Sequence, residues 1–368
     1  MAGVKRVRVL VFATATVLAT SSPALARPPA TGVPAQAPKA APRLLLTDFN
    51  GDGYADLAIG SPFEDVGSYI NAGAVHIFYG SPSGLQANAP DDQFWHQNSA
   101  GVEDSVENND KFGSSVATGD FNGDGYADLA IGVPFEDVGG ILNAGAVNIL
   151  YGSPSGLQAT SPNDQFWSQD SPDVDGSAEE SDEFGSSLAG GDFNADGYAD
   201  LVVGMPLEDV ASVVDAGGAQ VLYGSPAGLQ ATAPDDQFWS QDSPAVQDVA
   251  ESGDRFGFSV AGGDFNDDSF DDLAIGVPFE DVGDSAPVLD AGSVSVLYGT
   301  AAGLQAVSPD DQSWIQGTAG VLDRAEFNDQ LGSSASTGDF NGDGFADLVA
   351  GAPLENVGVE FRGVDAGA

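Results

Sequence analysis

Asp48-Phe49-Asn50-Gly51-Asp52-Gly53-Tyr54-Ala55-Asp56 is written five times along this chain with small variations. The other copies occupy 120–128, 192–200, 264–272 and 339–347, so the steps between first residues are 72, 72, 72 and 75. A long fixed period means one supersecondary unit copied and stacked, and the fold is therefore read per repeat. Within each copy, oxygen-bearing side chains alternate around a glycine, the way a chain wraps a hard cation such as calcium.

Working outward, residues 1–26 read as a secretory signal peptide. Lys5, Arg6 and Arg8 precede an apolar run, 9–18, and Ala24-Leu25-Ala26 matches a small-x-small cleavage site, with cleavage after Ala26. The apolar run is too short for a membrane span, and no later stretch reaches that length, so no membrane insertion is expected. Residues 27–43, rich in Pro and Ala, read as a semi-extended linker before the repeats of 44–368. The expected location is secreted, yet the chain has no cysteine, so disulfides cannot hold it. All 56 acids lie beyond residue 43, against four bases there (Lys111, Arg255, Arg324, Arg362), a net of −52. Such self-repulsion opposes compaction unless cations offset it, and it excludes nucleic acid and anionic lipid as partners. Adaptation to high salt would explain scattered surface acids, but not acids in register with the repeat.

The second repeat, 112–183, predicts four strands. Residues 112–120 have small and β-branched content and run into the acidic loop; 129–134 resumes as a second strand, so the loop joins a hairpin. A turn at 136–140 leads to an apolar third strand at 146–151, and 164–169 supplies a short fourth. No segment carries a 3.6-residue apolar period over a helical length. Four strands per unit, arrayed several times, indicate an all-β fold of β-propeller blades. Trp95, Trp167, Trp239 and Trp314, one per completed repeat, are expected to pack between blades. The three extra residues of the fourth repeat fall in a turn, between Asp281 and Asp290.

Phe112-Gly113, Phe184-Gly185 and Phe256-Gly257 precede Gly132-Val133-Pro134, Gly204-Met205-Pro206 and Gly276-Val277-Pro278, and Leu331-Gly332 precedes a literal Gly351-Ala352-Pro353. With the acidic loop between them, the pattern resembles the FG-GAP repeat of the integrin α-subunit propeller and its bacterial relatives. That resemblance implies a propeller with calcium loops at the first hairpin of each blade, serving adhesion and extracellular recognition, sometimes fused to hydrolase domains. It also implies a ring of seven blades, whereas about four and a half are written here, and the first has Ala40-Ala41 where the Phe-Gly marker belongs. The favoured reading is an incomplete seven-bladed ring; the alternative is a half blade whose unpaired edge promotes self-association.

The first loop offers side-chain oxygens from Asp48, Asn50 and Asp52, the carbonyl of Tyr54, and Asp56 to close the shell. The equivalent sets are Asp120, Asn122, Asp124, Tyr126 and Asp128; Asp192, Asn194, Asp196, Tyr198 and Asp200; Asp264, Asn266, Asp268, Phe270 and Asp272; and Asp339, Asn341, Asp343, Phe345 and Asp347. All-oxygen donors without Cys or His point to Ca2+, about one per repeat, rather than zinc, with magnesium disfavoured by its stricter geometry. A metal-free Asx-turn hairpin is the bland alternative. In the fourth loop Ser269 replaces the glycine at position six, so this site is expected to be weakest. The recurring Glu64-Asp65, Glu136-Asp137, Glu208-Asp209, Glu280-Asp281 and Glu355-Asn356 are expected to cap turns, or else to widen the cation shell.

Catalysis is not expected. His76 and His96, the two histidines, align with Asn148, Gln220 and Ser295 and with Ser168, Ser240 and Ile315, drift that reads as exposed, variable positions. Gly80-Ser81-Pro82-Ser83-Gly84 has Pro where a nucleophile elbow needs its serine. Three functional readings stay open: a calcium-stabilised module that recognises an extracellular protein or glycan, the non-catalytic part of a secreted hydrolase, and a structural or calcium-sequestering surface protein.

Overall fold

The computed structural model describes residues 47–88, 92–283 and 287–355. The expected signal peptide and linker lie outside the described residues, as do the final residues, 356–368. Seventeen strands and no helix are found among the described residues.

Three antiparallel sheets are complete, each built in chain order. The first is β4 (Ser115–Gly119), β5 (Asp128–Val133), β6 (Ala146–Leu150) and β7 (Gln165–Trp167). The second is β8 (Ser187–Gly191), β9 (Asp200–Met205), β10 (Gly218–Leu222) and β11 (Gln237–Trp239). The third is β12 (Ser259–Gly263), β13 (Asp272–Val277), β14 (Ser293–Leu297) and β15 (Gln312–Trp314). Before them stands a three-stranded sheet, β1 (Leu57–Ser61), β2 (Ala74–Phe78) and β3 (Gln93–Trp95), and after them the hairpin β16 (Ser334–Gly338) and β17 (Asp347–Gly351). This is the blade architecture of a β-propeller, and the acidic loop joins the first two strands of each complete blade.

Burial explains the apolar pattern. Every residue of β5, β6, β9, β10, β13 and β14 is buried, because each middle strand is covered by a blade on both faces. The first strands adjoin from blade to blade, β4 against β8, β8 against β12 and β12 against β16. The interior aromatic residues include Phe49, Phe121, Phe193, Tyr79, Tyr151 and Tyr223, all at most 1% exposed. The tryptophans sit at the margin instead: Trp95, Trp167, Trp239 and Trp314 are partly buried and pack against the core clusters. A glutamine two residues before Trp95, Trp167 and Trp239 makes the reach to the next blade. Gln165 Nε2 donates to Leu229 O at 2.9 Å while its Oε1 accepts from Tyr151 Oη at 2.6 Å and from the Leu229 amide at 3.0 Å.

The two glycine markers have a packing cause. The residues 112–114, expected to be strand, form instead a crossing: Phe112 bridges Gly73 of the preceding blade, and Gly113 has φ +85°. A Cβ on Gly132 would collide with the carbonyl oxygen of Gly185. Thus the Gly-x-Pro glycine of one blade meets the Phe-Gly glycine of the next, and Ser115 Oγ seals the contact by donating to Gly185 O at 2.6 Å. The same serine bond recurs at 2.7 Å from Ser187 to Gly257. The three-residue insertion falls in a turn, as expected: the bridge Val210–Val213 becomes Val282–Val288.

Candidate metal loops

In each loop the side chains of the first, third and fifth expected donors are held by the loop's own amides. Asp120 Oδ1 accepts from Asp124 N at 3.0 Å and its Oδ2 from Gly125 N at 3.0 Å; Asn122 Oδ1 accepts from Asp124 N at 2.9 Å; Asp124 Oδ1 accepts from Tyr126 N at 3.0 Å. The first loop repeats this through Asp48, Asn50 and Asp52, ending at Tyr54 N. The third does so through Asp192, Asn194 and Asp196, ending at Tyr198 N. Asp264, Asn266 and Asp268 lead to Phe270 N, and Asp339, Asn341 and Asp343 to Phe345 N, in the same way. These are nested Asx-turns.

The ninth residue sits differently from the rest. Asp128 is fully buried; its Oδ2 accepts from Phe121 N at 2.9 Å and its Oδ1 from Gly152 N at 2.9 Å. Asp56, Asp200 and Asp272 make the same pair of bonds, to Phe49 and Gly80, Phe193 and Gly224, and Phe265 and Gly299. This carboxylate ties the loop base to the start of the turn after the third strand. Asp347 accepts from Phe340 N and from Asn341. Burial, opposed by the two amides and reinforced by the charges of Asp124 and Asp120, raises Asp128 to about 8. Asp200 rises to about 8, Asp272 to about 7 and Asp56 to about 6, with burial again the largest cause.

The donor set suits a calcium ion: acid and amide side-chain oxygens come from one loop, and no nitrogen or sulfur ligand is among them. The three acids of a loop are nonetheless spread, since among the described residues no loop trio has its ligand oxygens all within 4.8 Å. A cation would draw them inward. Two loops carry backbone strain. Ser269 has φ +75°, as its place predicts, and Asp267 (φ +62°) and Ala195 (φ +54°) hold the other glycine position in the fourth and third loops. Ala195 and Asp267 both stand where the other loops have glycine.

The loops are also bonded to one another, a feature invisible in one repeat alone. Ala127 N donates to Asp48 O at 3.1 Å, Ala199 N to Asp120 O at 3.0 Å, Asp271 N to Asp192 O at 3.1 Å and Ala346 N to Asp264 O at 2.9 Å. The eighth residue of each loop thus grips the first residue of the loop before.

The histidine positions are not exposed, contrary to expectation. His76 and His96 are half-buried around Phe94, with ring centroids 4.6 and 5.6 Å away, and their register partners Asn148, Gln220 and Ser168 are buried. Burial lowers the His96 pKa, favouring the neutral ring. The Glu-Asp pairs divide their labour. Asp65, Asp137, Asp209 and Asp281 cap turns by accepting from the amides of Asn71, Asn143, Asp215 and Asp290, each at 2.9 Å. The preceding glutamates Glu136, Glu208 and Glu280 turn into the blade junctions and are buried there.

With that geometry in place, the FG-GAP repeat profile matches this chain five times, at residues 40–78, 112–150, 184–222, 256–297 and 331–368. The chain belongs to the FG-GAP repeat family. It is similar to integrin alpha-5 of Xenopus laevis, 31% identical over 257 residues, covering 68% of this chain and 21% of that protein. It is also similar to the phosphatidylinositol-glycan-specific phospholipase D of Bos taurus, 35% identical over 160 residues, covering 43% of this chain and 18% of that protein. The chain therefore spans about a fifth of the length of these FG-GAP relatives. A rhamnogalacturonan lyase from Bacillus licheniformis superposes loosely, with TM-score 0.37 and 11% identity over 80% of this chain and 53% of that one. No helix among the described residues is long and apolar enough to cross a membrane.

Proposed function

We propose that this FG-GAP protein is a secreted, calcium-stabilised recognition module that binds an extracellular protein or glycan. Its calcium ions would be structural, one at each loop, held by positions one, three, five and nine and by the carbonyl of position seven. The observation that carries this is the register of five acidic loops on an integrin-like set of blades, in a body with a net charge of −52. Bound at these loops, calcium supplies positive charge to carboxylates that the fold crowds and partly buries. Similarity to integrin alpha-5 supports recognition as the task. Probing an array of glycans and matrix proteins with the secreted chain, in calcium and in chelator, tests this. Calcium-dependent capture of one ligand class is expected, and equal binding in both conditions overturns the role given to calcium.

A second reading is favoured by the likeness to the bovine phospholipase D: the blades are the non-catalytic portion of a larger secreted hydrolase. An open reading frame running into a hydrolase domain would select it. A catalytic role for this chain's own residues is not proposed.

A further inference from the structure

A second kind of acidic site lies away from the loops, where one blade meets the next. Its parts come from three distant places in the repeat. Glu326 and Asp329 belong to the connection between β15 and β16, Glu355 follows β17, and Gln316 follows β15. One carboxylate oxygen from each of Glu326, Asp329 and Glu355 lies within 4.8 Å of the others. Asp329 is fully buried and Glu355 is 3% exposed, whereas Glu326 faces solvent. Asp329 Oδ2 accepts from Glu326 N at 2.6 Å and Glu355 Oε2 accepts from Gln316 Nε2. The other oxygens of the two buried acids, Asp329 Oδ1 and Glu355 Oε1, are enclosed and have no hydrogen-bond partner.

Two orphaned carboxylate oxygens in one buried cluster are costly to desolvate. Oxygen ligands of a single calcium ion stand about 2.4 Å from it, so opposed ligands are about 4.8 Å apart. The trio fits inside that limit. We propose that Glu326, Asp329 and Glu355 hold a calcium-class divalent cation that bridges the last two described blades, a site separate from the five loops.

The repeat gives the arrangement a context. The same residue types recur at Gln97, Asp110 and Glu136, at Gln169, Asp182 and Glu208, and at Gln241, Asp254 and Glu280. In each, the glutamine donates to the glutamate at 2.6 to 2.7 Å and the aspartate is 2% exposed. Burial is the largest cause of the raised pKa of Glu136, Glu208 and Glu280, which reach about 9, 7 and 8. There the acids do not converge as closely, and the fourth junction alone among the described residues brings three ligand oxygens together.

Anomalous diffraction from crystals of the full chain grown in calcium chloride reads this site apart from the loops by position. A calcium peak among Glu326, Asp329 and Glu355, with carboxylate oxygens at about 2.3 to 2.6 Å, is expected. Peaks confined to the loops, or water at this position, overturn the proposal while leaving the loop assignment standing. Absence of calcium from the loops with a peak here would do the reverse. In solution, equilibrium dialysis of the Asp329→Asn, Glu355→Gln double variant should show one fewer bound calcium per chain. An unchanged stoichiometry contradicts the site, and if that variant does not fold the diffraction experiment still decides.

Discussion

The amide of Ala127 donates to the carbonyl of Asp48 at 3.1 Å, which ties the second acidic loop to the first residue of the loop before it. The bond recurs at three further junctions, so the loops form one connected series. A loop drawn inward by a cation moves the carbonyl that its neighbour grips. Calcium binding should therefore be cooperative along the series. With a coupling of about 1 kcal/mol, Asp124→Ala should weaken calcium at the first and third loops roughly fivefold, beyond abolishing its own site. Calorimetric titration of the variant checks this; unchanged affinity at the remaining sites would show that the loops act independently.

The meeting of Gly132 with Gly185 gives a second expectation. Gly132→Ala forces a methyl group into a backbone carbonyl, and it should cost about 3 kcal/mol in denaturant unfolding with calcium in excess. Gly125→Ala meets no atom but keeps φ at +91°, so it should cost only about 1 kcal/mol. Equal costs for the two would remove the packing explanation of the Phe-Gly and Gly-x-Pro markers.

Backbone strain predicts the ranking of the loops. Ser269 holds φ +75° without a glycine's freedom. Ser269→Gly should relieve about 1 kcal/mol and tighten calcium at the fourth loop roughly fivefold, measured by titration.

The buried acids set a pH dependence opposite to the usual one for carboxylates. Asp128 and Asp200 are raised to about 8, Asp254 to about 7 and Glu280 to about 8, mainly by burial. The folded chain then binds more protons than the unfolded chain between the ordinary carboxylate range and about pH 8, so stability falls as pH rises through that window. In chelator, the melting temperature should drop from pH 5 to pH 8. With calcium the loss should shrink, because the cation takes the place of the protons. A chelated protein that gains stability over this range would contradict the burial of these acids.

Much of this architecture was legible from one repeat. The strand expected at 129–134 is found as Asp128–Val133, and that expected at 146–151 as Ala146–Leu150, because a strand buried on both faces is a continuous apolar run. Residues 112–114 misled, since small residues suit a strand and a close backbone crossing equally. The side chains of each loop are close in sequence, so the turn bonds they make to the loop's own amides could be read directly. Gln316, Asp329 and Glu355 could not, because only the stacking of blades brings them together. The histidine positions looked exposed because polar residues vary there, yet Asn148 and Gln220 are buried and hydrogen-bonded.

The central claim is that calcium at the acidic loops holds this fold together. With dissociation constants of roughly 0.1 mM and about 1 mM calcium, each site adds about 1.4 kcal/mol and five add roughly 7 kcal/mol, comparable to the whole stability of an ordinary domain. Scanning calorimetry of the chain in calcium and in chelator, at matched ionic strength, measures this directly. The account predicts a melting temperature higher by roughly 10 °C or more in calcium, with sodium chloride unable to substitute. A melting temperature indifferent to the chelator would contradict it.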